Sequence, residues 1–557
     1  MSALVAYETP VLGWPIDLDL SKNEGRSKGE EMLDSVTDPR RLVGRYPDTS
    51  GLRSRLARLH GVDEQSVLVT AGGDDALGRC FLARVGTGRR VVSTYPTFEM
   101  IPRYAEQRAA VLTEIPWWDE PFPVAEVIAS IDDSTDAVFI VSPNNPTGTA
   151  MSESDLRKVA SEAPFVVLDA AYVEFADSDP TMAALEMGNV VVIRTMSKAY
   201  GLAGLRVGYL LGPPDLVAII AAYGNPYPVS SLSAELAGIR LQRPEAELTG
   251  FVIEVRRERA DLTALLETLG TRPLRSQANF VLAMCDDADW VVSASASLGI
   301  ALRRFPTRPG LESVVRITVP GDPGEYARLE RTLATALDPQ AIIFDLDGVL
   351  ADVSQSQIHA IVATAKDFGV GITPLDIEAV KAEGNSSDDW AITHRLCAAN
   401  GVDVPIEAVV DRFERLYQGV GTTPGLKLAE RALVDPETWA RWSRRWPLGV
   451  VTGRPRSDAE EFLERFGLAG SVSALVTRED APLKPDPAPV TRALDSLGVS
   501  RAWMLGDTPD DVAAARGAGV VPIGVIAPGD DPTRARERLH LAARILDDIN
   551  ELEGLLP

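Results

Sequence analysis

Short runs of apolar, often β-branched residues recur along the chain. They alternate with stretches whose apolar positions fall three and four apart, the pattern of strands buried on both faces interleaved with amphipathic helices. Six of the runs are DAVFIV (136–141), FVVLDA (165–170), VVVIRT (190–195), AIIFDL (341–346), PLGVVT (447–452) and RAWMLG (501–506). The alternation predicts α/β domains on mostly parallel sheets. Polar residues close nearly every run, at the strand end where open α/β sheets hold their ligands. No repeat of fixed period and no low-complexity tract is visible.

With 557 residues the chain exceeds what a single core supports, so two or more domains are expected. The boundary is placed at Asp338-Pro339-Gln340, where the helical GEYARLERTLATAL gives way at once to the strand signal AIIFDLDG. Residues 1–337 are read as one unit, with a small lobe from about 1–40 and 230–337. Residues 341–557 are read as the other.

Charge narrows the partners. Acidic residues outnumber basic ones by 80 to 55, and the net charge of −25 repels a nucleic-acid backbone or an anionic membrane surface, which leaves a small molecule as the expected partner. The most apolar stretch, Val207–Ala222, is broken by Pro213, Pro214 and Asp215 and cannot span a bilayer. The opening MSALVAYETPVLGW lacks a positive leader, so a cytoplasmic location is expected. Cys80, Cys285 and Cys397 lack the spacing of a disulfide framework or metal site and read as free thiols in a reducing compartment. The four histidines show no zinc-binding spacing.

The segment TMSKAYGLAGLRVGY (195–209) follows a buried strand and carries a lone lysine among hydroxyls and small residues. Such a lysine can form a Schiff base with pyridoxal phosphate: Lys198 reaches the aldehyde, while Thr195, Ser197 and Arg206 donate to the phosphate. Asp169 ends a predicted strand, where its carboxylate can keep a pyridine nitrogen protonated, and Tyr172 and Asn145 can hydrogen-bond the ring hydroxyl. Taken alone, SPNNPTGT (142–149) is equally a plain turn. In VTAGGDDAL (69–77) a strand meets a helix start whose amides at Gly73 and Asp74 can cradle a phosphate. Phe98 in YPTFEM offers an aromatic face to the ring. The bland reading of Gly72, Gly73, Gly201 and Gly204 is tight turns and close packing.

These segments, with LSKNEG (20–25), RYPD (45–48), NPYPVSS (225–231), GIALR (299–303) and RITVPGD (316–322), resemble fold-type I aminotransferases, specifically the histidinol-phosphate aminotransferase family, over residues 15–336. The resemblance implies a large parallel-rich sheet domain with a small α+β lobe, and Lys198 as cofactor lysine and proton shuttle. It also implies that Tyr46 reaches the cofactor phosphate of a neighbouring subunit in a homodimer, and that Arg316, Arg303 and Asn23 hold the substrate's phosphate. Three positions depart from the family pattern: Ala170 replaces an acidic residue, Gly25 and Arg26 break the usual N-E-N-P, and Pro320 follows RITV. The first two leave the substrate open.

In the second unit FDLDGVLADVS begins at Phe344 and brings Asp345 and Asp347 to one strand mouth. Asp345 can attack phosphorus, and Asp347 can serve the leaving oxygen as general acid and then activate water. Facing carboxylates also invite Mg²⁺, with Asp345, Asp347, Asp507 and Asp511 as candidate ligands. Thr452 in VVTGRPR can bind the phosphoryl group, and Lys484 in LKPDP can neutralise the shared charge. Together these resemble the haloacid dehalogenase superfamily over about 341–550. The resemblance implies a Rossmann-like phosphatase domain, since the dehalogenating members lack the second aspartate. The helical stretch 355–430 resembles that superfamily's inserted cap, though its apolar spacing suits any helical bundle.

Amino transfer from glutamate to imidazole-acetol phosphate would make a phosphate monoester that the second unit would hydrolyse to histidinol. Three other readings stay open. The same chemistries can act on a different amino or oxo phosphate in specialised metabolism, the first unit can be an amino-acid-phosphate decarboxylase, or one unit can be a dead scaffold, against which Lys198 and Asp345 both stand.

Overall fold

The computed structural model describes residues 13–26, 29–36, 38–119, 121–382, 384 and 388–557. The opening MSALVAYETPVL, read above for a leader, lies outside them. Packing gives two compact units, one of Asp19–Ala288 with Leu302–Ala327, the other of Asp289–Ala301 with Arg328–Pro557 and the stretch ending at Leu18.

In the first unit β1 (Val67–Thr70), β2 (Arg90–Tyr95), β3 (Val111–Pro116), β4 (Thr135–Val141), β5 (Val166–Asp169), β6 (Val190–Thr195) and β7 (Gly208–Leu211) form one sheet, in the order β1-β7-β6-β5-β4-β2-β3. The pairs from β2 to β6 are parallel, and β7 is antiparallel to β1 and β6. Alternation within the apolar runs explains why both faces are covered: Val166, Leu168, Val190 and Val192 enter one core, and Val167, Val191 and Ile193 the other. A helix, α1 (Gly73–Arg84), follows β1. The small lobe carries an antiparallel sheet in the order 303–304, 314–318, 280–284, 272–273.

The second unit holds a six-stranded parallel sheet of β8 (Ala341–Phe344), β9 (Leu448–Val451), β10 (Val472–Val476), β11 (Ala502–Gly506), β12 (Val521–Val525) and β13 (Arg544–Leu546), in the order β10-β9-β8-β11-β12-β13. Between β8 and β9 are inserted α2 (Gln357–Asp367), α3 (Pro374–Ala382), α4 (Asp389–Ala399) and α5 (Ile406–Gln418). They bury a core of their own around Ile361, Leu396 and Phe413. After β11 comes α6 (Pro509–Gly517). All six strand runs named from the sequence are strands.

The covalent junction at 338–340 is not where the packing divides. Trp290 and Ala336 belong to the same core as Phe344 and Trp503. The rings of Trp290 and Trp503 lie 4.7 Å apart, and the Trp503 indole N–H donates to the Thr335 carbonyl at 2.8 Å. Two indoles bury a large apolar area and still need a partner for each N–H, which the end of the preceding helix supplies.

The three cysteines are buried and unpaired. Among the described residues no helix is long and apolar enough to cross a membrane.

Candidate active sites

Lys198 stands in the turn between β6 and β7, at the mouth of the first sheet. Its Nζ donates to the Lys22 carbonyl at 3.2 Å and lies 5.7 Å from the centre of the Tyr172 ring. Burial, with Arg316 adding to it, pulls its ammonium down to about 8. Asp169 closes β5 and accepts from the Ala171 amide at 3.1 Å. Burial, reinforced by Asp74, pushes its carboxyl up to about 7, so a cationic ring nitrogen placed there would draw it back to carboxylate. The Tyr172 hydroxyl accepts from Asn23 Nδ2 at 3.2 Å. Asn23 has φ of 57°, in the left-handed region that asparagine tolerates better than most residues, and Thr318 Oγ1 donates to its Oδ1 at 2.9 Å.

The cap of α1 is Gly72. Arg206 passes so close that a Cβ on Gly72 would sit 2.6 Å from its guanidinium, and the Gly72 φ of +83° adds a second reason for glycine. Arg206 donates to Asp74 at 3.2 Å. Thr195 Oγ1 donates to Ser197 Oγ at 2.9 Å. Amides at a helix start, two hydroxyls and a guanidinium suit a phosphate.

Arg303 and Arg316 are register partners on neighbouring strands of the small lobe, which places two cations side by side. Arg316 donates to Asn145 Oδ1 at 2.6 Å and to the Ser21 carbonyl at 2.7 Å, while Arg303 approaches Glu99 at 3.7 Å. The Asn145 side chain thus meets Arg316 in the structure. Phe98 is half-buried against the core that holds Leu77 and Ile101. Tyr46 is 82% exposed and stacks on Tyr227 at 4.7 Å. Gly25 has a local cause: a Cβ there would lie 1.6 Å from the Lys198 carbonyl oxygen, so the backbone runs against the lysine turn where no side chain fits. Thr318 had no warning in the sequence, because its partner Asn23 is 295 residues away.

In the second unit Asp345 follows β8, and Lys484 bridges its Oδ1 at 2.8 Å to Asp511 Oδ1 at 2.5 Å. One carboxylate oxygen each of Asp345, Asp507 and Asp511 converge within 4.8 Å of one another, all three residues buried. Burial raises the Asp345 carboxyl well above the usual range despite Lys484, and raises Asp507 to about 7 despite Lys381. Three buried oxygens at this spacing fit a hard divalent cation, whose charge would offset that cost. Gly348, at φ +76°, lets the loop pass Asp507: a Cβ would meet its carboxylate at 2.5 Å. Asp511 also closes a capping box with Thr508 at the start of α6, accepting from the Thr508 amide at 3.0 Å and from its hydroxyl at 2.6 Å, which fixes it in place. Buried Thr452 accepts from the Arg454 amide at 3.1 Å.

Asp347 departs from its expected place. Its carboxylate accepts from Arg454 Nε at 2.7 Å, an ion pair, and is not among the three oxygens that converge. Burial opposes its ionisation, but Arg454 outweighs it and holds the carboxyl below the usual range. As general acid it must first receive a proton. The buried Arg454 also donates to Glu430 at 3.1 Å and to the Tyr417 hydroxyl at 2.9 Å. Arg454 stood in the quoted VVTGRPR without a role, and its position directly after Thr452-Gly453 was the signal that could have found it. Glu430 carried no signal.

Residues 23–333 match the model of aminotransferase class I and II, and residues 339–519 that of haloacid dehalogenase-like hydrolases. An aromatic amino acid aminotransferase of Mycobacteroides abscessus is 34% identical over 332 residues, covering 57% of this chain and 93% of the relative. Histidinol-phosphate aminotransferase 1 of Nostoc sp. is 34% identical over 330 residues, 58% of this chain and 92% of its own. An imidazoleglycerol-phosphate dehydratase of Phytophthora nicotianae is 46% identical over 197 residues, 34% of this chain; the match spans 44% of that relative's length. The structure of histidinol-phosphate aminotransferase from Sinorhizobium meliloti in complex with pyridoxal-5'-phosphate shares the fold, with a TM-score of 0.53 and 24% identity over 58% of this chain and 91% of that one. The chain belongs to the class I and II aminotransferases, and carries behind that region a haloacid dehalogenase-like hydrolase domain.

Proposed function

We propose that the protein is a bifunctional enzyme. Its first unit transfers an amino group from glutamate to a phosphorylated oxo compound, imidazole-acetol phosphate, and its second hydrolyses the resulting histidinol phosphate with Mg²⁺. The observation that carries this reading is that one chain keeps both nucleophile sets entire: Lys198 among Asp169, Tyr172 and Arg206, and Asp345 bridged by Lys484 beside Asp507. The names of two relatives add to it, since the Nostoc aminotransferase and the Phytophthora dehydratase are named for phosphorylated imidazole compounds.

In the first site Asp169 would face the ring nitrogen of pyridoxal phosphate and Tyr172 and Asn145 its hydroxyl. Arg206, Thr195, Ser197 and the amides of Gly73 and Asp74 would hold its phosphate, and Phe98 its ring face. Bound there, the cofactor supplies an electron sink for the bond broken at the substrate's amino-bearing carbon. Lys198, with an ammonium brought down to about 8, carries a proton to and from that carbon near neutral pH. Arg316 and Arg303, with Asn23, bind the substrate's phosphate and orient it. Tyr46, exposed on the surface, would complete the site of a second copy in a homodimer.

In the second site Asp345 attacks phosphorus while Lys484 and Thr452 hold the phosphoryl oxygens. Asp347, released from Arg454, gives its proton to the leaving oxygen and then takes one from water. Asp345, Asp507 and Asp511 would hold the magnesium, which screens phosphate charge from the nucleophile.

Lys198 makes a pH prediction. Only the neutral amine attacks an aldehyde, so cofactor uptake by the apoenzyme should rise about tenfold per pH unit below 8 and flatten above it. Stopped-flow absorbance measures this; a rate still climbing through pH 10 would show an unshifted lysine.

The function itself is tested by phosphate release from histidinol phosphate beside a panel of other amino-alcohol and amino-acid phosphates. Selective turnover of histidinol phosphate is expected. Turnover of a different amino phosphate alone would keep both chemistries and move the substrate, the second reading that the departure at Ala170 supports. Release of CO₂ in place of 2-oxoglutarate would make the first unit a decarboxylase.

A further inference from the structure

One cavity of the second unit shares its lining between the transfer residues Asp345, Asp347 and Asp507 and a group the proposed chemistry does not use: Trp390, Phe413, Glu414 and Tyr417 of the helical insertion, with Asp458 and Arg478 of the sheet domain. Glu414 and Asp458 are half-buried. Glu414 accepts from the Trp390 indole N–H at 3.1 Å and from Gln418 Nε2 at 3.2 Å, and that same amide donates to both oxygens of Asp458 at 3.0 Å. Two carboxylates are thus bridged by one neutral amide. Among the described residues neither forms an ion pair. Arg478, the cation beside them, pairs instead with Asp388 at 3.0 Å and lies over the Trp390 ring at 4.0 Å.

Lys381 and Arg454 also line this cavity and suit the phosphate, but two carboxylates without an ion pair work against an anion placed beside them, because Coulomb repulsion between such groups is strong away from bulk water. The carboxylates become favourable only when the other end of the substrate is a cation. A carboxylate at that end of the substrate would meet like charge.

We infer that Glu414 and Asp458 form a subsite for the protonated amino group of the phosphate monoester, so that the phosphatase reads the group that amino transfer adds. The inference rests on the phosphatase reading of this site. It makes the hydrolysis selective for aminated product over its unaminated counterpart, and so keeps the oxo substrate of the first step from being dephosphorylated early.

The test uses the full chain with Mg²⁺ and compares kcat/KM for histidinol phosphate, O-phosphoethanolamine, their analogues with hydroxyl in place of amine, and 4-nitrophenyl phosphate. The wild type should prefer each amine to its hydroxyl analogue. In Glu414→Gln combined with Asp458→Asn that preference should fall roughly 10- to 100-fold, the worth of a charge-assisted hydrogen bond, with the loss mostly in KM. Glu414→Asp, which keeps the charge, should retain more of it than Glu414→Gln. Equal wild-type turnover of amine and hydroxyl, or an undiminished preference in the double variant, would overturn the subsite. Preference for an amine other than histidinol phosphate would still support it, and would count against the substrate proposed above. A wild type that hydrolyses none of the phosphates, 4-nitrophenyl phosphate included, would overturn the phosphatase reading and the subsite with it.

Discussion

Lys198→Ala is expected to lower amino transfer by at least about 10³-fold, the scale of losing a positioned proton carrier, and to remove the absorbance of lysine-bound cofactor entirely. The two losses have one cause. Lys198 holds the Nζ that bonds the cofactor aldehyde and the proton that the transfer moves, in a site where burial and Arg316 keep that nitrogen near neutrality. The fold should survive, because the amine donates to a backbone carbonyl at 3.2 Å, and alanine leaves no buried charge behind. Phosphate release should persist, since the phosphatase residues lie in the other compact unit. An absorbance band that remains in the variant would show that another lysine carries the cofactor.

Asp345→Asn should do the opposite, lowering phosphate release by at least about 10⁴-fold while amino transfer continues. The amide is nearly the same size, and Lys484 keeps Asp511 as partner at 2.5 Å, so the site is not left with an unpaired ammonium. What is lost is the nucleophilic oxygen and one of three converging metal-binding carboxylates. Phosphate release surviving at a substantial rate would mean that a different group attacks phosphorus. The pair of variants separates the activities from either side, and neither result follows if one unit is only a scaffold.

Much of this was legible because it is local. The valine-rich runs of β5 and β6 announce strands covered on both faces, and the residues closing them, Asp169 and Thr195, land at the sheet mouth by the geometry of the strand alone. Lys198, Asp345 and Asp507 were found for the same reason. The orientation of Asp347 was not, because it is set by Arg454, 107 residues away in sequence, and a guanidinium between two carboxylates is visible only once β8 and β9 are paired. The Gly25 departure looked like a change in substrate recognition and has a steric cause in the backbone of the lysine turn. The boundary placed at 338–340 follows a change of pattern, yet Trp290 packs beyond it, since tertiary packing of indoles leaves no periodic trace. Glu414, Gln418 and Asp458 likewise come from two elements and carry no motif.

In the proposed function two consecutive reactions run on one carbon skeleton. Covalent linkage contributes at most an effective concentration of order millimolar, so that succession depends on the chemistry of the two sites and not on proximity. The most direct measurement supplies the wild-type protein with glutamate, imidazole-acetol phosphate, pyridoxal phosphate and Mg²⁺, and follows 2-oxoglutarate and inorganic phosphate together. The account predicts that the two appear one to one once a small pool of histidinol phosphate has formed, with histidinol as the final product. Steady formation of 2-oxoglutarate with histidinol phosphate accumulating and no phosphate released would contradict it.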